Sequence, residues 1–155
     1  MELTTRPLKY MDFREFVLLS DQFLDESPLF RNVPEKDVDD LVNFFKVMFE
    51  FPDEYFAQLG FADGVLAGMA VAHRMPFIFA RSNFVQDVMF YIFPEFRGTL
   101  LIRKLVRDLE KWAFADKMCH LVQLTAMASA DNDRTQRLIE ALGYKTVGHF
   151  GVKER

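Results

Sequence analysis

The middle of the chain most constrains the fold, because it reads as strand, helix and strand in direct succession. A β-compatible apolar run over residues 84–93 stops at Pro94, and apolar residues then recur with a helical period over residues 98–115. Residues 119–127 are β-compatible again. Two strands joined by one helix are usually parallel and near neighbours in one sheet. The segment is therefore predicted to form a β-α-β crossover unit.

Periodicity and turn residues predict the other elements. The predicted helices cover residues 12–27, 34–50 and 133–142. The predicted strands are one over residues 2–8, two within 54–75, and a closing strand or pair over 144–154. Asp63-Gly64 between two β-compatible runs is a strong hairpin signal. Pro34 suits the first turn of the second helix, and Gly143 suits the stop after the last one. The resulting order, β-α-α-β-β-β-α-β-α-β, favours a central mixed sheet with helices on its faces.

Composition excludes several classes of protein. The 155 residues suit one domain, and a net charge of −4 with no basic run makes duplex nucleic acid an unexpected partner. The single cysteine, Cys119, excludes an intrachain disulfide framework and suits a reducing cytoplasm. The N-terminus lacks the apolar core of a signal peptide, and no apolar run could span a bilayer. The three histidines show no spacing that suits a metal site. We therefore expect a cytoplasmic globule without a membrane partner.

The turn after Pro94 carries the most informative residues. Arg97 and Gly98 stand at the mouth of the predicted helix, where unpaired N–H groups and the helix dipole usually attract acidic side chains. A cation suits this position when an anion arrives from outside the chain, and a βα turn is a recurrent phosphate site. Alternatively, Arg97 caps the turn and faces water. The pattern by itself leaves both interpretations open.

Two segments carry a resemblance to a known family. The order of elements, "YIFPEFRG" at the end of a strand, and "NDRTQRLIEALGY" after the next strand resemble the GNAT acyl-CoA-dependent N-acetyltransferases. The resemblance covers nearly the whole chain and looks closest to the short GNAT proteins common in tailed-phage genomes. It implies one domain over residues 1–155, an α/β fold of the α+β type with a central mixed, mostly antiparallel sheet flanked by about four helices, and acetyl-CoA as co-substrate.

The resemblance also implies where the cofactor binds. The strand over residues 85–93 should splay from its neighbour and lend backbone groups to the pantetheine arm, while the next turn wraps the pyrophosphate. The residues implied in cofactor binding are Phe90, Tyr91, Ile92, Arg97, Gly98, Thr99, Leu100, Leu101, Ile102, Arg103 and Asn132. This chain departs from the family pattern at Leu100 and Ile102, where relatives have glycine or alanine. It departs again at Ile139, where many relatives place a tyrosine that protonates the departing thiolate.

Asp87 is the candidate general base, because several relatives carry an acid at its position and an amine must lose a proton before it attacks a thioester. Alternation places three apolar residues on the face of Asp87, namely Val85, Met89 and Tyr91. Apolar surroundings raise the pKa of a carboxyl group toward the useful range. Alternatively, Asp87 lies at a solvated strand edge or pairs with Arg81 or Arg74.

Two functions follow from this interpretation. In the first, the protein transfers acetyl from acetyl-CoA to a primary amine by direct attack in a ternary complex, the acceptor being a protein, a polyamine or a small molecule. In the second, it is a weak or inactive GNAT-fold protein that binds a host or partner protein through its aromatic helices. The resemblance implies a monomer or homodimer, in the host cytoplasm if a phage encodes it.

Overall fold

A computed structural model describes residues 1–27, 30, 37–125 and 132–147, except for the side chains of residues 132–135. Within this part of the chain the strands and helices are β1 (Leu3–Pro7), α1 (Phe13–Glu26), α2 (Val38–Glu50), β2 (Tyr55–Ala62), β3 (Val65–Pro76), β4 (Asn83–Ile92), α3 (Leu101–Ala115), β5 (Cys119–Gln123) and α4 (Asn132–Ala141). Short 3-10 turns precede α1 and α3, at Tyr10–Asp12 and Pro94–Phe96.

The five strands form one sheet in the order β1-β2-β3-β4-β5. All neighbours are antiparallel except β4 and β5, which are parallel and joined through α3. The predicted crossover unit and the mixed, mostly antiparallel sheet are therefore confirmed. The predicted hairpin is also present, since Asp63 (φ 48°) and Gly64 (φ 78°) adopt the left-handed backbone that this tight turn requires.

Helices cover both faces of the sheet. On one face α3 buries an apolar stripe at helical spacing, with Leu101, Leu105 and Leu109 fully inaccessible to solvent. On the other face α1 and α2 bury Phe16 and Phe45 against β2, β3 and β4. The sheet thus separates two apolar cores, and β4 contributes residues to both.

The starts of two helices can be compared with the prediction. The α2 helix is described from Val38, because Asp37 is extended (ψ 114°) and its side chain accepts the Asp39 N–H at 2.8 Å, a typical N-cap. Pro34, the predicted start, lies outside the described residues. The α3 helix begins at Leu101 rather than at Gly98, because Gly98 has φ 89°, which no α-helix contains.

The C-terminal strands also differ from the prediction. β5 ends at Gln123, because the N–H of Thr125 donates to the Asp87 side chain instead of to a ladder carbonyl. Residues 126–127 of that predicted strand lie outside the described residues. Of the predicted closing strand, residues 144–147 form no strand, and residues 148–154 lie outside the described part.

Candidate functional site

The second half of β4 has an open edge. β5 pairs with β4 only from Asn83 to Gln86, whereas β3 pairs with β4 along its whole length. In the described part of the chain, residues 87–92 are therefore hydrogen-bonded to a neighbouring strand on one side only. An open edge exposes backbone donors and acceptors that a ligand can pair with.

The register determines which backbone groups face this edge. Phe93 donates its N–H to the Ala67 carbonyl at 2.9 Å, and antiparallel pairs alternate between bonded and non-bonded positions. Tyr91 therefore points its N–H and C=O toward β3, while Phe90 and Ile92 point theirs toward the open edge. Of the three strand residues predicted to bind cofactor, two present backbone groups there.

A bulge changes which side chains share a face of β4. The register passes from Ala72 opposite Asp87 to Val71 opposite Met89, which leaves Val88 as an extra residue. Before the bulge, Val85 and Asp87 face α3; after it, Met89 and Tyr91 face α1 and α2. The prediction that Met89 and Tyr91 share the face of Asp87 is wrong, because simple alternation does not hold across a bulge.

Asp87 nevertheless lies in surroundings that disfavour its charge. Burial raises the pKa of its carboxyl group to about 6, although the N–H of Thr125, which donates to it at 2.6 Å, acts in the opposite direction. Arg74, one of the two predicted partners, instead lies over the Trp112 ring and 3.5 Å from the Asp116 carboxylate. Asp87 is thus held by the first residues after β5 and not by Arg74.

Arg97 belongs to a cluster of three polar side chains at the end of β4. Its guanidinium forms an ion pair with Glu26, the last residue of α1, and its Nε donates to the Ile92 carbonyl at 2.9 Å. The Tyr91 hydroxyl donates to the other Glu26 oxygen at 2.6 Å, and Arg97 lies 5.5 Å from the Tyr91 ring centre. The sequence predicts Arg97 at this turn but gives no indication of its partner, because Glu26 lies 71 residues earlier.

The cluster shifts the pKa values of Glu26 and Tyr91 in opposite directions. Burial alone would raise the pKa of Glu26, but the hydrogen bonds from Tyr91 and Arg97 outweigh it and hold that pKa below its usual range. Burial, with the Glu26 carboxylate beside it, raises the pKa of Tyr91. At neutral pH the cluster therefore holds an ionised glutamate, a cationic arginine and a neutral tyrosine.

The start of α3 offers fewer N–H groups than predicted. Thr99 donates its N–H to the Phe96 carbonyl, and its Oγ1 accepts the Leu101 N–H, both at 3.3 Å. Helix geometry leaves the N–H groups of Ile102 and Arg103 without an intrahelical acceptor. They, together with the positive end of the α3 dipole, remain suited to an anion.

The three apolar side chains of this turn have different surroundings. Leu101 is fully buried and packs on Gly60, where an added Cβ would lie 2.9 Å from its Cδ1. Ile102 is half-buried, whereas Leu100 is 63% exposed. Of the two side chains that replace small residues of the family pattern, Leu100 thus contributes little to the core.

Among the C-terminal residues, the Tyr144 side chain makes a contact that the sequence does not predict. Asn132 is the first residue of α4, and its side chain lies outside what the structure describes. Ile139 is half-buried within α4. Tyr144 donates its hydroxyl to Glu110 of α3 at 2.9 Å, and burial followed by the Glu110 carboxylate raises its pKa, with a smaller effect from Asp87. Tyr144 thus lies on the same side of the sheet as Asp87.

The described residues include neither a metal-binding cluster nor a membrane-spanning helix. They contain no group of three or more His, Cys, Asp or Glu side chains placed to hold a metal ion. No helix among them is both long and apolar enough to cross a membrane. Cys119 is a buried free thiol, and burial raises its pKa.

A comparison of the sequence with protein-family models finds a family that matches most of the chain. The model of the "Acetyltransferase (GNAT) family" matches residues 19–144, which include the open half of β4, the α3 turn and α4. No curated protein sequence matches the chain.

Solved structures share the fold over nearly the whole chain. The structure of AAC(6')-Iy in complex with the bisubstrate analogue CoA-S-monomethyl-acetylneamine superposes with a TM-score of 0.78 at 18% identity, over 100% of this chain and 99% of that one. Glucosamine-6-phosphate N-acetyltransferase from Arabidopsis thaliana gives a TM-score of 0.75 at 17% identity, over 99% of both chains. A transcriptional regulator from Bacillus halodurans C-125 gives 0.75 at 21% identity, over 99% of both chains. Identities this low support a common fold, but they give no information on whether the proteins share a substrate.

Proposed function

Because the chain belongs to the GNAT acetyltransferase family, we propose that it is an acetyl-CoA-dependent N-acetyltransferase that acts on a primary amine. The observation that carries the proposal is the open half of β4. There, the backbone groups of Phe90 and Ile92 lie next to the Arg97 turn and the start of α3. A strand edge suits the amide-containing pantetheine arm, and a helix start with an arginine suits a diphosphate.

Each part of the site has a proposed role. Phe90 and Ile92 bond the pantetheine arm through their backbones, and Tyr91 orients Glu26. Arg97 binds the diphosphate, and Gly98 lets the backbone approach it. The remaining residues of the proposed cofactor site are the α3 turn, with Thr99, Leu100, Leu101, Ile102 and Arg103, and the start of α4, with Asn132.

The acetyl transfer removes two protons from an alkyl ammonium and expels one leaving group. Asp87 can accept the first proton, directly or through water, because a carboxyl group with a pKa of about 6 is ionised at pH 7 yet basic enough to act. As the amine nitrogen bonds to the acetyl carbon, the C–S bond breaks, and the second nitrogen proton passes to water or to the departing sulfur. The thiolate leaves without a tyrosine donor at Ile139, which a thiol pKa near 8.5 permits.

The acceptor class follows from charge. The chain carries −4 overall, and the Asp87 carboxylate next to the open half of β4 favours a cationic molecule. Amines of this kind include aminoglycosides, polyamines and lysine-rich peptides. The structural neighbours include a complex with an acetylneamine-containing analogue, which is consistent with this class.

A thermal-shift titration tests cofactor binding. Acetyl-CoA at 100 times its dissociation constant should stabilise the fold by about 2.7 kcal/mol. Arg97→Ala should weaken binding, whereas Arg107→Ala, on the exposed side of α3, should not. Release of free thiol with a panel of polyamines, aminoglycosides and basic peptides then tests turnover. The absence of any shift at millimolar acetyl-CoA would contradict the proposal and favour the alternative of an interaction protein.

A further inference from the structure

Glu26 forms an ion pair with Arg97, the side chain that the proposed function assigns to the cofactor's diphosphate. One Glu26 oxygen accepts a hydrogen bond from the Arg97 Nη2, and the other accepts one from the Tyr91 hydroxyl at 2.6 Å. The Arg97 Nε simultaneously donates to the Ile92 carbonyl at 2.9 Å. Two of the three guanidinium nitrogens, Nε and Nη2, are therefore already engaged within the chain.

This arrangement opposes anion binding in two ways. The Glu26 charge cancels that of Arg97, so a diphosphate that approaches the arginine also meets a carboxylate of its own sign. In addition, Arg97 occupies the Ile92 carbonyl, one of the backbone acceptors on the open edge of β4. Binding of the cofactor along this edge thus requires the Arg97 contacts to change.

The pair is placed so that it can open. The Glu26 and Arg97 side chains are 38% and 39% exposed, and an ion pair with that access to water contributes little to stability. A diphosphate carries more charge than one carboxylate and can accept from the guanidinium in the same forked geometry. After the exchange Glu26 keeps its hydrogen bond to Tyr91, so it is not left without a donor.

We propose that Glu26 is an internal competitor of the cofactor: it holds Arg97 until the diphosphate displaces it, and it thereby sets the affinity for acetyl-CoA. The inference rests on the proposed function and adds a positioning residue to it. Removal of the Glu26 charge should tighten acetyl-CoA binding, which is the opposite of what removal of a cofactor-binding residue does.

The test is a calorimetric titration with two ligands, acetyl-CoA and S-acetylpantetheine, which lacks the diphosphate. Glu26→Gln keeps the shape and the oxygen that accepts from Tyr91, and it should tighten acetyl-CoA at least about fivefold, a change of roughly 1 kcal/mol. Its affinity for S-acetylpantetheine should stay unchanged. Glu50→Gln, at the exposed end of α2, is the matched control and should change neither affinity.

A double-mutant cycle separates competition for Arg97 from a general change in charge. In an Arg97→Gln background, Glu26→Gln should lose most of its tightening effect, because the shared partner is gone. If Glu26→Gln folds poorly, as judged by circular dichroism, Glu26→Ala replaces it with the same expectation.

The outcomes distinguish this inference from the proposed function. If the wild-type protein binds acetyl-CoA and Glu26→Gln leaves that affinity unchanged or weakens it, the competition is overturned and the acetyltransferase proposal stands. Equal tightening of S-acetylpantetheine would overturn it too, because the diphosphate would then be irrelevant. If neither the wild type nor any variant binds acetyl-CoA, both proposals fail.

Discussion

Two carboxylates at the open half of β4 differ in pKa because their neighbours differ. Glu26 accepts hydrogen bonds from Tyr91 and Arg97, and its pKa lies below the usual range despite partial burial. Asp87 receives one backbone N–H, from Thr125, which does not offset its burial, and its pKa rises to about 6. Environments that separate two pKa values in this way commonly separate two roles. A Glu26 with a lowered pKa suits ion pairing, and an Asp87 with a raised pKa suits proton transfer.

The first prediction concerns Asp87 as base. The wild-type kcat/KM should rise with pH through an inflection near 6, because only the ionised carboxylate accepts a proton. Asp87→Asn should lower kcat about 10²- to 10⁴-fold and abolish that inflection, with little change in acetyl-CoA affinity. Turnover measured from pH 5 to 9, with affinity measured separately, checks this. A variant that retains the inflection would exclude Asp87 as its source.

The second prediction concerns Leu100, which stands where the family pattern has a small residue. Its side chain is 63% exposed at the N-cap of α3, a position that tolerates glycine. Leu100→Gly should tighten acetyl-CoA binding several-fold at a cost of a few tenths of a kcal/mol in stability, because it clears the approach to the helix start. Leu100→Met keeps the bulk and should leave the affinity unchanged. Equal affinities in all three proteins would show that Leu100 does not obstruct the site.

At the scale of elements, the site depends on how closely β3 and β4 approach. At Gly68 an added Cβ would lie 2.5 Å from the Tyr91 carbonyl oxygen, a backbone atom that cannot move without the strand. At Gly60 an added Cβ would meet only the flexible side chain of Leu101, at 2.9 Å. A methyl group added at Gly68 would therefore meet backbone, whereas one added at Gly60 would meet a side chain that can rotate. The two glycines form a matched pair for mutation.

The third prediction uses this pair. Gly68→Ala should destabilise the fold by about 1–3 kcal/mol, as overpacking typically does, and weaken acetyl-CoA binding because it shifts residues 90–92. Gly60→Ala should cost less and leave the affinity nearly unchanged, since Leu101 can change rotamer. Urea unfolding and calorimetry on both variants provide the measurement. A larger loss for Gly60→Ala would contradict the proposed role of the β3–β4 contact.

The elements that the sequence predicts correctly are those with local signals. Asp63-Gly64 predicts its hairpin because the turn itself demands left-handed backbone, and the apolar period of α3 predicts its buried stripe. The bulge at Val88 has no such signal, because it results from the pairing of β4 with β3. The Glu26–Arg97 pair is equally hidden, since only the complete sheet brings the end of α1 to the end of β4.

At the scale of the whole molecule, the buried Asp12 and the half-buried Asp87 give stability opposite pH dependences. Hydrogen bonds from Arg6, at 2.6 and 2.8 Å, are the main reason that the pKa of Asp12 is lowered, so its ionised form stabilises the fold. That contribution is present above the unfolded pKa, near 3.9, and is lost as pH falls through the folded value. Asp87 behaves in the opposite way, because its pKa is raised.

The fourth prediction concerns this pH dependence. Between its unfolded pKa of 3.8 and its folded pKa of about 6, Asp87 binds more protons in the folded state, so stability falls as pH rises through this range. The cost of its ionisation at neutral pH is roughly 3 kcal/mol. Urea unfolding should therefore show higher stability at pH 4.5 than at pH 7.5.

Asp87→Asn is the control for this measurement. It should remove most of the fall in stability, because asparagine can still accept the Thr125 N–H but carries no charge. The variant should consequently be more stable than the wild type at pH 7.5 and similar to it at pH 4.5. An equal decline in both proteins would assign the effect to another group.

The extra residue at Val88 has a geometric consequence for any molecule that enters beside β4. It turns the strand so that Asp87 faces the α3 layer, while Tyr91, with Glu26 attached, faces the layer of α1 and α2. The carboxylates of Asp87 and Glu26, which would repel each other on one face, therefore lie on opposite sides of the sheet. A guest lying along this edge thus meets the Asp87 carboxylate on one side of the sheet and the Glu26–Arg97 ion pair on the other.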